Sequence, residues 1–66
     1  MNLSEVIKTR RRTLGISQID LSEMSCVSLA TIKDIERGKG NPSMGTVSKI
    51  MDILGMEILF KVRQTV

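Results

Sequence analysis

The stretch SQIDLSEMSCVSLATIKDIER, Ser17 to Arg37, decides how this chain folds. Ser17 is a helix-capping residue, and Asp20 three positions on can return a bond to the cap, with Asp standing in for the usual Glu of a capping box. Leu21 and Met24 share one face of the helix so opened. At about eight residues that helix is too short to stand alone in water. Ser25, Cys26 and Val27 then read as a tight turn. Ser28 caps a second short helix that runs through Arg37, with Thr31, Ile32 and Ile35 on its inner face and Gly38 as its stop. Two short capped helices separated by a three-residue turn must take their stability from packing against other elements.

Those elements lie on either side. Upstream, Asn2 or Ser4 can cap a helix in which Leu3, Val6, Ile7, Arg10 and Leu14 recur at helical spacing, ended by Gly15. Its last turns are basic, where the helix macrodipole favours cations. Downstream, residues 38–42 (GKGNP) are a loop by their punctuation. Ser43 caps a fourth helix, with Met44, Val47, Ile50, Met51 and Leu54 at a 3.6-residue period and Gly55 as its stop. The tail changes period. Met56, Ile58, Phe60 and Val62 alternate with Glu57, Leu59, Lys61 and Arg63, a strand pattern interrupted only by Leu59. A lone strand leaves backbone groups unpaired, so its natural mate is the same strand of a second copy. A short fifth helix packed on the bundle is the alternative. The chain thus reads as all-α, four or five helices over residues 1–55, with residues 56–66 as a tail that serves dimerisation.

Composition narrows the function. With 66 residues the chain is one domain and buries only about 60% of its unfolded surface. It has no histidine and a single cysteine, Cys26, which excludes a disulfide and a zinc site and suits a reducing cytoplasm. No carboxylates fall into a catalytic pairing, so no enzyme, metal or cofactor is expected. No apolar run approaches the roughly 18 residues that span a bilayer. The basic cluster of the N-terminus follows its apolar residues, unlike a signal peptide. A complete, soluble, cytoplasmic protein is expected. The net charge of +3 is compatible with a polyanionic partner. Lys8, Arg10, Arg11 and Arg12 form one basic cluster and Lys33, Arg37 and Lys39 another; two solvated helix ends are the plainer reading of both.

Two capped helices joined by a tight turn are also the core of a helix-turn-helix, in which the second helix enters the major groove of DNA. Periodicity alone equally fits a plain helical bundle. The residues add more. Leu14-Gly15-Ile16-Ser17-Gln18, Leu21, Val27-Ser28, Thr31-Ile32, Ile35-Glu36-Arg37-Gly38, Asn41-Pro42-Ser43, Thr46-Val47, Lys49-Ile50 and Ile53-Leu54-Gly55 strongly resemble the Cro/cI (Xre) family of phage repressors and bacterial regulators. The resemblance runs without a gap over roughly residues 5 to 55. It implies a compact bundle of about five helices and a dimeric, sequence-specific repressor that reads a palindromic operator in double-stranded DNA.

The resemblance also implies roles. Gln18 matches the family's glutamine at the start of the second helix, where a side-chain amide and free helix N–H groups can grip a phosphate. Ser28 matches the cap of the recognition helix, and its hydroxyl can also meet a phosphate. Leu29, Ala30, Lys33 and Asp34 fall at groove-facing positions. Leu29 and Ala30 can touch thymine methyls, Lys33 can donate to guanine or phosphate, and Asp34 can accept from cytosine. Core packing for Leu29, and a solvated face for Lys33 and Asp34, are the plainer alternatives. Thr31 sits where the family often has a small hydroxyl residue near DNA. Arg37, Lys39, Asn41 and Ser43 lie where the family follows the phosphate backbone. Glu36 matches an acid that pairs with a base of the first helix, for which Arg10 is the expected partner in a structural ion pair.

Two positions depart from the family pattern. Ser22 stands where Ala is usual, and Cys26 stands at a turn position where positive φ favours Gly. Either that turn relaxes or Cys26 carries about 1–2 kcal/mol of strain. The tail resembles, by placement and alternation, the end strand of Hip-type antitoxins, in which two copies pair. This resemblance implies Ile58, Leu59, Phe60 and Val62 as dimer contacts and an adaptor that binds a toxin protein as the competing function.

Overall fold

Asn2 opens the first helix, α1 (Leu3–Thr13), by accepting the Glu5 backbone N–H on its side-chain oxygen at 2.9 Å. The computed structural model describes residues 2–60 and 62 of the chain. Helix α2 (Gln18–Ser25) starts with the full capping box. The Ser17 hydroxyl accepts from the Asp20 N–H at 2.9 Å, and the Asp20 carboxylate accepts from the Ser17 N–H at 3.0 Å. Ser28 and Ser43 cap α3 (Leu29–Glu36) and α4 (Met44–Leu54) in the same way, through the N–H groups of Thr31 and Thr46. At the far end of α4, Gly55 takes φ +68°, and the Met56 N–H reaches back to the Met51 carbonyl at 2.9 Å. That left-handed closure is open to Gly without a Cβ penalty. Each expected cap is therefore where the sequence puts it.

The core takes a side chain from every helix. Ile7 of α1, Leu21 of α2, Ile32 of α3, and Ile50 and Leu54 of α4 are fully buried, with Val27, Ile35, Val47 and Met51 around them. Helices α1 and α2 each pack on both α3 and α4. Leu14, Met24 and Met44, expected on inward faces, are exposed instead. All three sit at a helix end: Leu14 is the C-cap of α1, Met24 the penultimate residue of α2 and Met44 the first of α4. At a helix end, burial depends on whether a neighbouring helix reaches that far: Leu54 and Glu36, the last residues of α4 and α3, are covered, and these three are not. Thr31, read as inward, is half-buried at the rim.

The turn between α2 and α3 does not relax. Cys26 has φ 60° and ψ 27°, the one non-glycine residue at positive φ among those described. Hydroxyls brace the strained residue on both sides. Ser22 Oγ donates to the Val27 carbonyl at 2.7 Å, Ser25 Oγ donates to the Leu21 carbonyl at 2.6 Å, and the Val27 N–H donates to Ser25 Oγ at 3.3 Å. An Ala at position 22 would lack the first of these bonds, so the two departures from the family pattern act together. Substituting Cys26→Gly relieves about 1–2 kcal/mol of left-handed strain against about 0.5–1 kcal/mol of added chain entropy in the unfolded state. The expected result is a gain of about 0.5–1 kcal/mol, read as a higher urea midpoint at unchanged slope.

The tail corrects an expectation. Residues 56–60 carry neither strand nor helix, and no strand occurs among the described residues. A single chain offers a lone extended segment no ladder to join, and Gly55 has already closed the preceding helix. Met56 and Ile58 fold back as half-buried residues against the core. Leu59 and Phe60 are 82% and 84% exposed, so Phe60 does not share the side of Met56 and Ile58 as alternation predicts. Lys61 and Arg63, the rest of the expected strand, lie outside the described residues.

Candidate nucleic-acid interface

The chemistry of α3 divides by face. Ile32, Ile35 and Glu36 are buried. Ala30, Lys33 and Arg37 are exposed, with the capping Ser28 exposed before them and Leu29, Thr31 and Asp34 half-buried at the margin. Lys39, Asn41 and Ser43 continue this surface into the loop and the start of α4, and all three are exposed. The loop is fixed to the helix, because the Lys39 N–H donates to the Asp34 carbonyl at 2.8 Å. Thr31, Asp34, Lys39, Asn41 and Thr46 line one shallow open cleft beside α3. The structure thus brings the expected α3 and loop residues onto one continuous surface. It adds Thr46, which the Ser43-to-Thr46 capping spacing would have located.

Hydroxyl chemistry at the helix starts is specific. Ser28 Oγ accepts from the Thr31 N–H at 3.2 Å and donates to Thr31 Oγ1 at 2.8 Å. The Ser28 proton is thereby committed to its neighbour, and the Thr31 hydroxyl proton is left to donate outward. Ser43 and Thr46 repeat the arrangement. Neither α3 nor α4 has an acid in its first turn, whereas α1 has Glu5 and α2 has Asp20. The positive ends of α3 and α4 are therefore not neutralised by the chain itself. Asp20, bonded to the Ser17 backbone N–H and then to its hydroxyl, is held below the usual carboxylate range.

Two ion pairs shape the site. On the exposed face, Arg37 Nη2 pairs with Asp34 Oδ1. The pair has the (i, i+3) spacing of helix neighbours, a signal already present in the sequence. A cytosine amino group would have to compete with Arg37 for that carboxylate.

The second pair is internal, and here the expected partner was wrong. Arg11, not Arg10, meets Glu36: Nε to Oε2 at 2.8 Å and Nη2 to Oε1 at 3.0 Å. Side-chain exposure is 12% for Arg11 and 3% for Glu36. Arg11 lies four residues after the buried Ile7, on the face that α1 turns to the core. Arg10 lies four after Val6 and instead donates from Nε to the Leu54 carbonyl at 2.9 Å, closing the end of α4. Arg11 also reaches the Ile16 carbonyl at 2.9 Å. Burial alone would push the Glu36 carboxyl up. The hydrogen bonds from Arg11 and Gln18, with the charges of Arg11 and Lys8, outweigh burial and hold it below the usual range. The same bond from Arg11 to Glu36 raises the Arg11 guanidinium further. Gln18, the half-buried first residue of α2, joins this cluster by donating from Nε2 to Glu36 Oε1 at 3.2 Å.

No helix among the described residues is long and apolar enough to cross a membrane. Comparison with known proteins agrees with the geometry. A helix-turn-helix family model matches residues 7–60. The immunity repressor protein of Bacillus phage phi105 is 31% identical over 58 residues, a span that covers 88% of this chain and 40% of that protein. The chain therefore spans well under half the length of this curated relative. The capped α2–turn–α3 unit, the buried acid–arginine tie and the family match over most of the chain lead to one conclusion: this protein belongs to the Cro/cI-type helix-turn-helix family of DNA-binding regulators.

Proposed function

We propose that this chain binds double-stranded DNA as a dimer and represses transcription from a palindromic operator, with α3 in the major groove. The observation that carries the reading is the division of α3: Ile32, Ile35 and Glu36 anchor it while Ala30, Lys33 and Arg37 stand clear on a surface bearing few acids. Ala30, Leu29, Lys33 and Asp34 read bases, the last together with Arg37. Gln18, Ser28 with Thr31, Lys39, Asn41 and Ser43 hold the phosphate backbone and fix register. The name of the phage relative supports the assignment of repressor.

The test is binding to duplex DNA from upstream of the protein's own gene, beside scrambled DNA, across a salt series. Preference for the upstream DNA with steep salt dependence is expected. Lys39→Ala should weaken binding to both DNAs alike and reduce the salt slope by about one unit. A loss of sequence preference at unchanged slope would remove Lys39 from the backbone contacts.

The dimer reading rests on the tail. Leu59, Phe60 and the 92% exposed Val62 place three large apolar side chains in water within four positions, a grouping that favours a protein partner. A second copy supplies the symmetric mate, and paired recognition helices read two half-sites. Ile58 packs on its own core and supports the segment from within. Removing residues 59–66 leaves Met56 and Ile58 in place and is expected to convert the dimer to monomer in sedimentation. A shortened chain that remains dimeric would reject the tail as the contact. A full-length chain that sediments as a monomer would turn the tail toward a different protein, as in the antitoxin-type adaptor.

A further inference from the structure

We infer that Glu36 is a positioning residue for DNA binding: its buried carboxylate holds the Gln18 amide by one N–H, so that the second N–H of the same nitrogen is left to donate to the phosphate backbone. The inference rests on the assignment of Gln18 to a phosphate contact and explains how that contact is prepared before DNA arrives.

The terminal torsion of a glutamine side chain is broad and nearly two-fold. An unrestrained Gln18 would present its carbonyl oxygen outward about as readily as its NH2, and a phosphate accepts only from the NH2. An ionised carboxylate removes this ambiguity, because it can only accept. Glu36 Oε1 therefore selects the Nε2 side of Gln18, at 3.2 Å. The amide carries two protons. One is held by Glu36, and no second partner for the other occurs among the described residues. The carboxylate is itself immobilised by the two bonds from Arg11, whose third bond goes to the Ile16 carbonyl just ahead of the α2 cap.

Charge and placement agree with this role. A bare carboxylate behind a phosphate contact would repel the phosphate. Here Arg11 neutralises it at bonding distance, and Lys8 adds a further positive charge. Gln18 is the first residue of α2, and the capping box uses the N–H groups of Ser17 and Asp20. The backbone N–H groups of Gln18 and Ile19, in the first turn of α2, have no intrahelical partner. Glu36 ends α3, so the recognition helix carries the group that orients the backbone contact of the preceding helix. Glu36 thereby ties one of the backbone contacts to the placement of the recognition helix.

The test is a double-mutant cycle on binding to mixed-sequence duplex DNA at low salt, where the operator need not be known. Gln18→Ala is expected to weaken binding about tenfold. Glu36→Gln should weaken it about threefold in the native background and leave it unchanged in Gln18→Ala. An equal loss from Glu36→Gln in both backgrounds assigns it a structural effect only and overturns the inference. Failure of the unaltered protein to bind duplex DNA would instead reject the functional reading on which it rests. Should Glu36→Gln not fold, the unaltered protein gives the answer by NMR. The Gln18 side-chain NH2 should show one proton shifted downfield and slow to exchange, and both effects should vanish as Glu36 is protonated. Gln18 side-chain protons with the shifts and exchange rates of an unrestrained glutamine at neutral pH would overturn the inference without any substitution.

Discussion

Replacing Arg11 by Ala should destabilise the fold by about 3–5 kcal/mol, because it strands a buried carboxylate. Arg10→Ala should cost only about 1 kcal/mol, the usual worth of one hydrogen bond. The two residues are neighbours with the same charge, and only their faces on α1 differ. Glu36 is almost completely buried and receives its two shortest bonds from Arg11. Arg10 makes a single bond to the end of α4, where water can substitute. A domain of this size holds roughly 3–10 kcal/mol in total, so Arg11→Ala should leave much of the protein unfolded at 37 °C. Urea denaturation of both variants provides the comparison. The combined Arg11→Met, Glu36→Leu protein should recover most of the loss, since a well-packed apolar pair often replaces a buried ion pair without penalty. An Arg11→Ala protein as stable as Arg10→Ala would show that Glu36 is protonated or hydrated inside the fold.

The same pair sets the acid limit. The Glu36 carboxyl titrates lower in the folded chain than in the unfolded one. Its stabilisation is therefore complete above the unfolded value of about 4.3 and is lost as pH falls below it toward the folded value. The Arg11→Met, Glu36→Leu protein should show a flatter stability curve over that acid range.

Much of this architecture is legible in the sequence because caps and stops are local. Ser17 with Asp20, Ser28 with Thr31 and Ser43 with Thr46 each solve the problem of unpaired helix N–H groups within four residues. The caps read at Ser17, Ser28 and Ser43 stand in the structure, which supplies Thr31 and Thr46 as the partners of the last two. Choosing between Arg10 and Arg11 is a different problem. It depends on the rotation of α1 against two other helices, which a one-residue shift alters by about 100°. The buried Ile7 supplied the needed reference, but Arg10 also lies on an apolar stripe, that of Leu3 and Val6. Leu14, Met24 and Met44 fail for a related reason, since periodicity shows which face is apolar and not where the neighbouring helix ends. The tail is harder still. Alternation specifies a strand only where a ladder exists, and residues 56–60 of one chain have none. The Gln18–Glu36 bond was visible at neither position alone, because it joins helix starts and ends 18 residues apart.

Introducing a carboxylate by Ala30→Glu should abolish useful DNA binding while leaving the protein as stable as before, or more so. Ala30 is exposed and is the second residue of α3, whose first turn lacks an acid. A glutamate there meets the positive end of the helix dipole and should add about 0.3–1 kcal/mol to folding. In the proposed complex the same charge enters a groove flanked by phosphates, and like charges brought together at an interface cost several kcal/mol. An affinity loss of at least about 100-fold is therefore expected at moderate salt. Ala30→Gln, similar in size and uncharged, should lose much less. The opposite signs separate interface from scaffold. A substitution that damaged packing would lower the melting temperature and the affinity together, whereas this one should hold or raise Tm as binding fails. Native affinity in Ala30→Glu would take the start of α3 out of the DNA interface and leave the loop from Lys39 to Ser43 as the surface to examine. The absence of acids at this helix start, where both stability and the habit of α1 and α2 would favour one, is the reason to expect that the position is kept open for an anion from outside.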